Sequence, residues 1–331
     1  MPQQVFITRE IPAVGAQRLA AAGLAVRVNP LQRPLSPDEL AAYVADCDGL
    51  IPMLAEKVDA VLLNKCPRLK AVANYAVGFN NIDLAECTRR GVGVSNTPGV
   101  LTNATAELAW ALLFAAARQV VRGDNDLRAG LWDGWGPMHM LGASISGRTL
   151  GVVGAGRIGE RFALMSRGFN MPVLYASRRP NPVLDRELSA RRVPLEELLK
   201  EADFVSLHVP LTPETQRLIG ARELAAMKPS AILINTARGA VVDEPALIEA
   251  LAAGRIGGAG LDVYESEPHV PQELLGLKNV VLLPHVGSAT VEAREAMAGM
   301  AAENIIEMLA GRRPPNALNP EVWAGPRTHV N

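Results

Sequence analysis

Cysteine is scarce in this sequence: three residues in 331, Cys47, Cys66 and Cys87, with no Cys-X-X-Cys pair. Spaced so far apart, they indicate neither a disulfide framework nor a structural zinc site, and no metal is expected. The same scarcity points to a reducing compartment. An excess of charge of either sign is equally lacking. Lysine and arginine number 33 against 34 aspartate and glutamate, a formal net charge of -1, which offers no broad positive field to nucleic acid. Long hydrophobic runs are missing too: the most apolar stretch, residues 108–117, is about half of what a bilayer requires and is closed by Arg118, so no membrane span is expected. The first residues show no basic stretch followed by an apolar one, so no targeting signal is read there and a cytoplasmic location is expected. No internal repeat or low-complexity segment is present.

What is present fits a globular chain with room for two cores, 49% hydrophobic and 20% charged over 331 residues. Short β-prone runs (5–8, 24–28, 49–51, 70–74) alternate with helical spacing (11–22, 37–45, 83–90). That is the rhythm of parallel strands joined by crossover helices, so the fold class is α/β. Asn96-Thr97-Pro98-Gly99 interrupts it and a long apolar helix over 102–119 follows, which marks a domain boundary. Beyond a loop over 130–146, strands are predicted at 149–153, 173–176, 203–207, 231–235, 258–261 and 280–283, with helices at 157–167, 195–201 and 244–253. A last helix over 290–309 could return to either domain, and the tail after Gly311 reads as a loose extension.

Leu150-Gly151-Val152-Val153 runs directly into Gly154-Ala155-Gly156-Arg157-Ile158-Gly159 and a helical stretch. In this strand–turn–helix context the first glycine permits the tight turn, the second admits a pyrophosphate to the backbone and the third lets helix and strand approach. A dinucleotide is therefore expected at the helix N-terminus. Where an acidic residue would hold the ribose of NAD, the chain reads Tyr175-Ala176-Ser177-Arg178-Arg179. A serine and two guanidinium groups suit a 2′-phosphate, so NADP is expected, with NAD the alternative.

Three later strand ends carry reactive side chains: Asn235-Thr236-Ala237-Arg238-Gly239, Asp262-Val263-Tyr264-Glu265-Ser266-Glu267-Pro268 and Pro284-His285-Val286-Gly287-Ser288-Ala289-Thr290. They open on the carboxyl edge of one sheet, where open α/β folds bind ligands. Together with the glycine-rich turn, their order and spacing closely resemble the signatures of the D-isomer-specific 2-hydroxyacid dehydrogenases, and within that family the glyoxylate, hydroxypyruvate and 2-ketogluconate reductases. The resemblance extends over nearly the whole chain, including residues 74–83 and 96–102. It implies two Rossmann-like or flavodoxin-like domains with parallel sheets and a cofactor cleft between them. The substrate-binding domain would comprise residues 1–100 and 288–331, and the dinucleotide-binding domain residues 101–287.

Reduction of a 2-oxo acid needs a cation for the carboxylate, a proton donor for the carbonyl oxygen and a positioned hydride. Arg238, His285 and a nicotinamide can supply these, with Glu267 placed to stabilise the charged imidazole and fix its orientation. The resemblance assigns the same roles. It further implies that Val77 and Gly78 present backbone N–H groups to the substrate carboxylate, and that Thr105, Arg157, Ile158, His208, Val209, Pro210, Thr215, Thr236, Ala237, Asp262 and Gly287 surround the cofactor. Trp132, Trp135 and Met138 resemble a segment that in relatives closes over a neighbouring subunit, and with the apolar helix over 102–119 they make a homodimer the expected assembly. Many relatives carry Ser or Thr where Ala55 stands, a departure that bears on substrate preference. Two other readings compete: a nucleotide-sensing corepressor-like protein, and a phosphoglycerate-type dehydrogenase, for whose appended regulatory domain the chain leaves no room. A formate dehydrogenase would carry glutamine at Glu267.

Overall fold

The structure is a computed structural model that describes residues 2–31 and 33–324. It divides into two compact units, one formed by Met1–Leu101 with the chain from Ala289 onward, the other by Thr102–Ser288.

The first unit is built on a five-stranded parallel sheet of β1 (Gln4–Ile7), β2 (Ala25–Val28), β3 (Gly49–Ile51), β4 (Ala71–Ala73) and β5 (Gly93–Ser95), in the order β2-β1-β3-β4-β5. The three last strands are buried throughout, as expected when both faces of a parallel sheet are covered. One face packs on helices Ala13–Ala21 and Val291–Leu309. The second of these begins at Thr290, whose side chain accepts from the Ala293 N–H at 3.2 Å. It buries Ala293, Met297, Ala298, Ala301, Ala302, Ile305 and Met308, a helical stripe facing the sheet. The chain after Gly311 is not loose up to residue 324. Asn319 is buried, accepts from Val94 N–H and donates to the Val92 carbonyl, so its amide continues the edge of β5 as a strand would. Residues 325–331 lie outside the described residues.

The second unit holds a seven-stranded parallel sheet of β6 (Leu150–Val153), β7 (Val173–Ala176), β8 (Arg191–Arg192), β9 (Phe204–Leu207), β10 (Ile232–Asn235), β11 (Gly258–Leu261) and β12 (Val280–Leu282), ordered β12-β11-β10-β9-β6-β7-β8. Strand order reverses between β6 and β9, which opens a crevice at their carboxyl ends. The expected helix over 102–119 is shorter, Thr102–Ala117, and packs on β10, β11 and β12 with the Trp110 indole donating to the Phe162 carbonyl at 2.9 Å. Gln119 takes a left-handed φ of 53° and a second helix, Val120–Arg128, turns away at 62° with no buried residue. Its apolar residues Val120, Val121 and Leu127 stay exposed, so no packing holds it in the first direction. Among the described residues no single helix is long and apolar enough to cross a membrane. The short helices Ala60–Lys65, Pro182–Leu188 and Ala221–Ala226 were not expected from the sequence.

Candidate active site

The glycine-rich turn is set by sterics that can be stated glycine by glycine. Gly154 has φ +97°, and a Cβ there would lie 2.8 Å from the backbone of His208. A Cβ on Gly159 would fall 2.0 Å from the Gly154 carbonyl oxygen, so only glycine lets the helix start this close to β6. Gly156 differs in facing open space. It is the N-cap of helix Arg157–Met165 and makes no side-chain cap, so the N–H groups of that first turn remain for an anion. Arg157 is exposed and Ile158 partly so. The turn therefore fits a dinucleotide pyrophosphate.

Beyond β7, Arg178 and Arg179 are exposed and the Ser177 hydroxyl donates back to the Arg179 carbonyl within the turn. No carboxylate stands among them. Sequence reasoning missed two residues that hold this region. Buried Asn181 donates to the Ala155 carbonyl at 3.1 Å and to Glu160 at 2.8 Å, tying the glycine-rich turn to the segment after β7. Arg192, from β8, donates to the carbonyls of Ser177 and Arg178 at 3.0 and 2.9 Å.

At the ends of β10, β11 and β12 the three reactive segments converge. Gly239 lies so close to the next loop that a Cβ would sit 1.9 Å from the Tyr264 carbonyl carbon, which locks the Arg238 loop to the Glu267 loop backbone to backbone. Asn235, another residue the sequence reading left without a role, accepts from Ala237 N–H and donates to the Arg238 carbonyl, so the arginine leaves β10 in a fixed direction. Burial lowers the Arg238 guanidinium from its ordinary value and Glu267 opposes that; an arginine remains a cation under such pressure. His285 Nδ1 and Glu267 Oε2 are 2.6 Å apart, with the two side chains 29% and 33% exposed, open enough for a substrate to reach. Burial raises the Glu267 carboxyl, but hydrogen bonds from His285 and from the Tyr264 N–H, with the Arg238 charge, bring it below the usual range. It is thus an anion at neutral pH, and His285 Nδ1 is the donor of the pair, which leaves Nε2 for a ligand. His285 itself has a left-handed φ of 54°, a conformation that costs a non-glycine residue about 1–2 kcal/mol. The strained segment is held by buried Asp262, whose Oδ1 accepts from the following Val286 N–H at 2.7 Å.

Asp262 also faces Gly287 and Thr105: a Cβ on Gly287 would lie 3.2 Å from Asp262 Oδ2 and 3.5 Å from the Thr105 methyl. Among the described residues, Asp262 Oδ2 and Thr236 Oγ1 are buried with no hydrogen-bond partner, polar atoms left for a ligand to satisfy. Not every expected cofactor residue points a free group outward. His208 bonds Ser206 through Nε2 at 2.9 Å, packs on the Phe162 ring, and is pushed down to about 3 by burial, so it is a neutral ring supporting the glycine turn. Thr215 donates to the Pro210 carbonyl at 2.6 Å and closes the loop of Val209 and Pro210 on itself.

In the first unit, the loop after β4 is held by asparagines: Asn96 donates to the Val77 carbonyl and Asn74 to the Gly78 carbonyl, both at 2.7 Å, while Asn81 fixes Met53 and Glu56.

Comparison with known proteins agrees with this arrangement. Residues 110–287 match the NAD-binding domain of the D-isomer-specific 2-hydroxyacid dehydrogenases. The chain is 51% identical over 326 residues to the glyoxylate reductase of Thermococcus gammatolerans, covering 97% of each, and 51% identical over 326 residues to that of Pyrococcus furiosus, with the same coverage. Among solved structures it resembles a Thermus thermophilus protein at TM-score 0.89 and 47% identity, over 96% of this chain and 100% of that one. It also resembles the NADPH-dependent glyoxylate/hydroxypyruvate reductase of Sinorhizobium meliloti, solved with NADP and malonate, at TM-score 0.85 and 33% identity over 96% and 97%. By sequence, by fold and by the grouping of arginine, glutamate and histidine at its strand ends, this chain belongs to the D-isomer-specific 2-hydroxyacid dehydrogenase family.

Proposed function

We propose that the protein reduces a small 2-oxo acid of the glyoxylate, hydroxypyruvate or 2-ketogluconate type to the D-2-hydroxy acid, with NADPH as the preferred donor. The observation that carries this reading is the 2.6 Å contact between His285 and an ionised Glu267, on a loop locked to that of the Arg238 cation. The bound nicotinamide would supply a hydride to the carbonyl carbon. Arg238 holds the substrate carboxylate, and His285 Nε2 delivers the proton that the carbonyl oxygen takes up as it becomes a hydroxyl. Glu267 accepts from Nδ1 and orients the ring so that Nε2 is left for the substrate. The turn around Gly156 would hold the cofactor's pyrophosphate, and Asp262 and Thr236 would offer their unpaired oxygens to its carboxamide end. A steady-state panel of glyoxylate, hydroxypyruvate and 2-ketogluconate with either cofactor tests the reading, and turnover of none of them sinks it in favour of a nucleotide-sensing protein.

Glu267→Gln removes the anion but keeps the shape. Because the Glu267 carboxyl lies below the usual range, activity that depends on its charge should fall only at acid pH; Glu267→Gln should lower kcat/KM at neutral pH and lose that acid limb, and an unchanged profile would uncouple Glu267 from His285. The NADPH preference rests on the absence of a carboxylate after β7 and on exposed Arg178 and Arg179. Arg178→Ala is expected to lower kcat/KM for NADPH about tenfold and that for NADH far less, since solvent screens an exposed charge-assisted contact. Equal losses, or a wild type that favours NADH, would refute the assignment.

The assembly proposed is a homodimer. Leu127, Leu131, Trp132, Trp135, Met138 and Leu141 are exposed within 15 residues of chain, Trp135 by 84% and Met138 by 77%. Such a patch is rare on a free monomer. Light scattering should give the mass of two chains, and Trp135→Ser with Met138→Ser should shift it toward one.

A further inference from the structure

We propose that Arg192 is a specificity-determining residue for the 2′-phosphate of the nucleotide, an inference that rests on the NADPH reading above. The turn after β7 exposes three consecutive backbone carbonyls, those of Ser177, Arg178 and Arg179. Bare carbonyl oxygens carry partial negative charge, and beside a phosphate dianion they would repel it. All three are capped: Ser177 and Arg178 by the Arg192 guanidinium, Arg179 by the Ser177 hydroxyl. Arg192 commits Nε and one Nη2 hydrogen to these bonds, so three of its five N–H groups are left for an anion at the same place.

The neighbouring arginine shows that this is not a property of the edge strand. Arg191 and Arg192 form β8, and side chains alternate along a strand. Arg191 points to helix Leu195–Glu201, where Glu197 at 2.7 Å and Glu201 at 3.5 Å neutralise it. Among the described residues Arg192 forms no ion pair and keeps its full charge toward the turn. Its strand pairs beside Tyr175, two residues before Ser177, which sets the reach. Arg192 thus fixes the backbone of Ser177 and Arg178 and adds a third cation to a turn that already carries Arg178 and Arg179.

The test is calorimetric binding of 2′,5′-ADP and of 5′-AMP to the full-length protein, alongside kcat/KM for NADPH and NADH. Wild type is expected to bind 2′,5′-ADP more tightly than 5′-AMP; if it does not, the NADPH reading itself fails, before any variant is measured. Given that preference, Arg192→Gln is expected to weaken 2′,5′-ADP about tenfold and 5′-AMP by less than about threefold, the low end for one charge-assisted hydrogen bond. Arg191→Gln removes an equal charge from the same strand and should leave the ratio of the two affinities within about twofold. The proposal is overturned if Arg192→Gln leaves 2′,5′-ADP binding unchanged, if it weakens both nucleotides equally, or if Arg191→Gln has the same effect. An unfolding temperature equal to wild type, with Arg192→Lys intermediate in 2′,5′-ADP affinity, shows that the loss is one of contact and not of fold.

Discussion

His285→Ala is expected to lower kcat for 2-oxo acid reduction by at least about a hundredfold while 2′,5′-ADP binding stays within about threefold, because a positioned general acid contributes roughly 10²–10⁴. The proton that neutralises the forming alkoxide would then have to come from water. The turn around Gly156 and the segment after β7, proposed above to hold the nucleotide, lie on other loops, so nucleotide affinity is a fair control. His285 sits at φ 54°, and alanine meets the same backbone cost there, so a second variant separates chemistry from strain. Asn tolerates the left-handed region well and cannot supply the proton. His285→Asn should therefore fold at least as stably as the alanine variant and be as inactive. A folded variant with near-wild-type turnover would remove His285 from the mechanism.

The second large effect is expected at Arg238. Leucine there replaces a partly buried cation, fixed by Asn235 at its carbonyl, with a shorter apolar side chain that carries no charge. If the guanidinium makes two charge-assisted bonds to the substrate carboxylate, each of about 1.5–3 kcal/mol, kcat/KM should fall by roughly 10²–10⁴. The loss should depend on the substrate having a carboxylate. With wild type, hydroxyacetone should be much poorer than hydroxypyruvate; with Arg238→Leu the two should become similar, and added guanidinium should restore part of the rate with the acid only. Equal loss on both substrates would make Arg238 a structural residue. Glu267 also loses a positive neighbour in this variant, so its carboxyl should rise and the pH profile should change together with the rate.

Residues 150–159 show how much of the site could be read directly. An apolar run, three glycines at fixed spacing and a helical stretch dictate a strand, a tight turn and a helix N-terminus, because backbone sterics and the missing Cβ act within a few residues. The three reactive strand ends were legible for the same reason, each following an apolar run that could only be a buried strand. The break at Gln119 was not: the pattern upstream is helical to its end, and only the capping of the Ala117 carbonyl by Ala143, from beyond the loop, stops it. Nor was the tail, where one asparagine bonds to β5 across 225 residues.

The sequence by itself thus determined the α/β class, the alternation of strands and helices, the dinucleotide turn and the residue types of the chemistry, all of which follow from interactions between near neighbours. Only the tertiary structure decided which of those residues act as a pair. Glu267 and His285 are 18 apart in the chain and meet because β11 and β12 are adjacent in register; His208, at another strand end, packs on Phe162 and stays neutral. Arg192 reaches the turn after β7 only through the pairing of β7 with β8, which faces it toward the carbonyls while Arg191 turns to its glutamates. Which of two chemically identical side chains gains a function depends on strand register and burial, quantities set by the whole fold and not by any local stretch of chain.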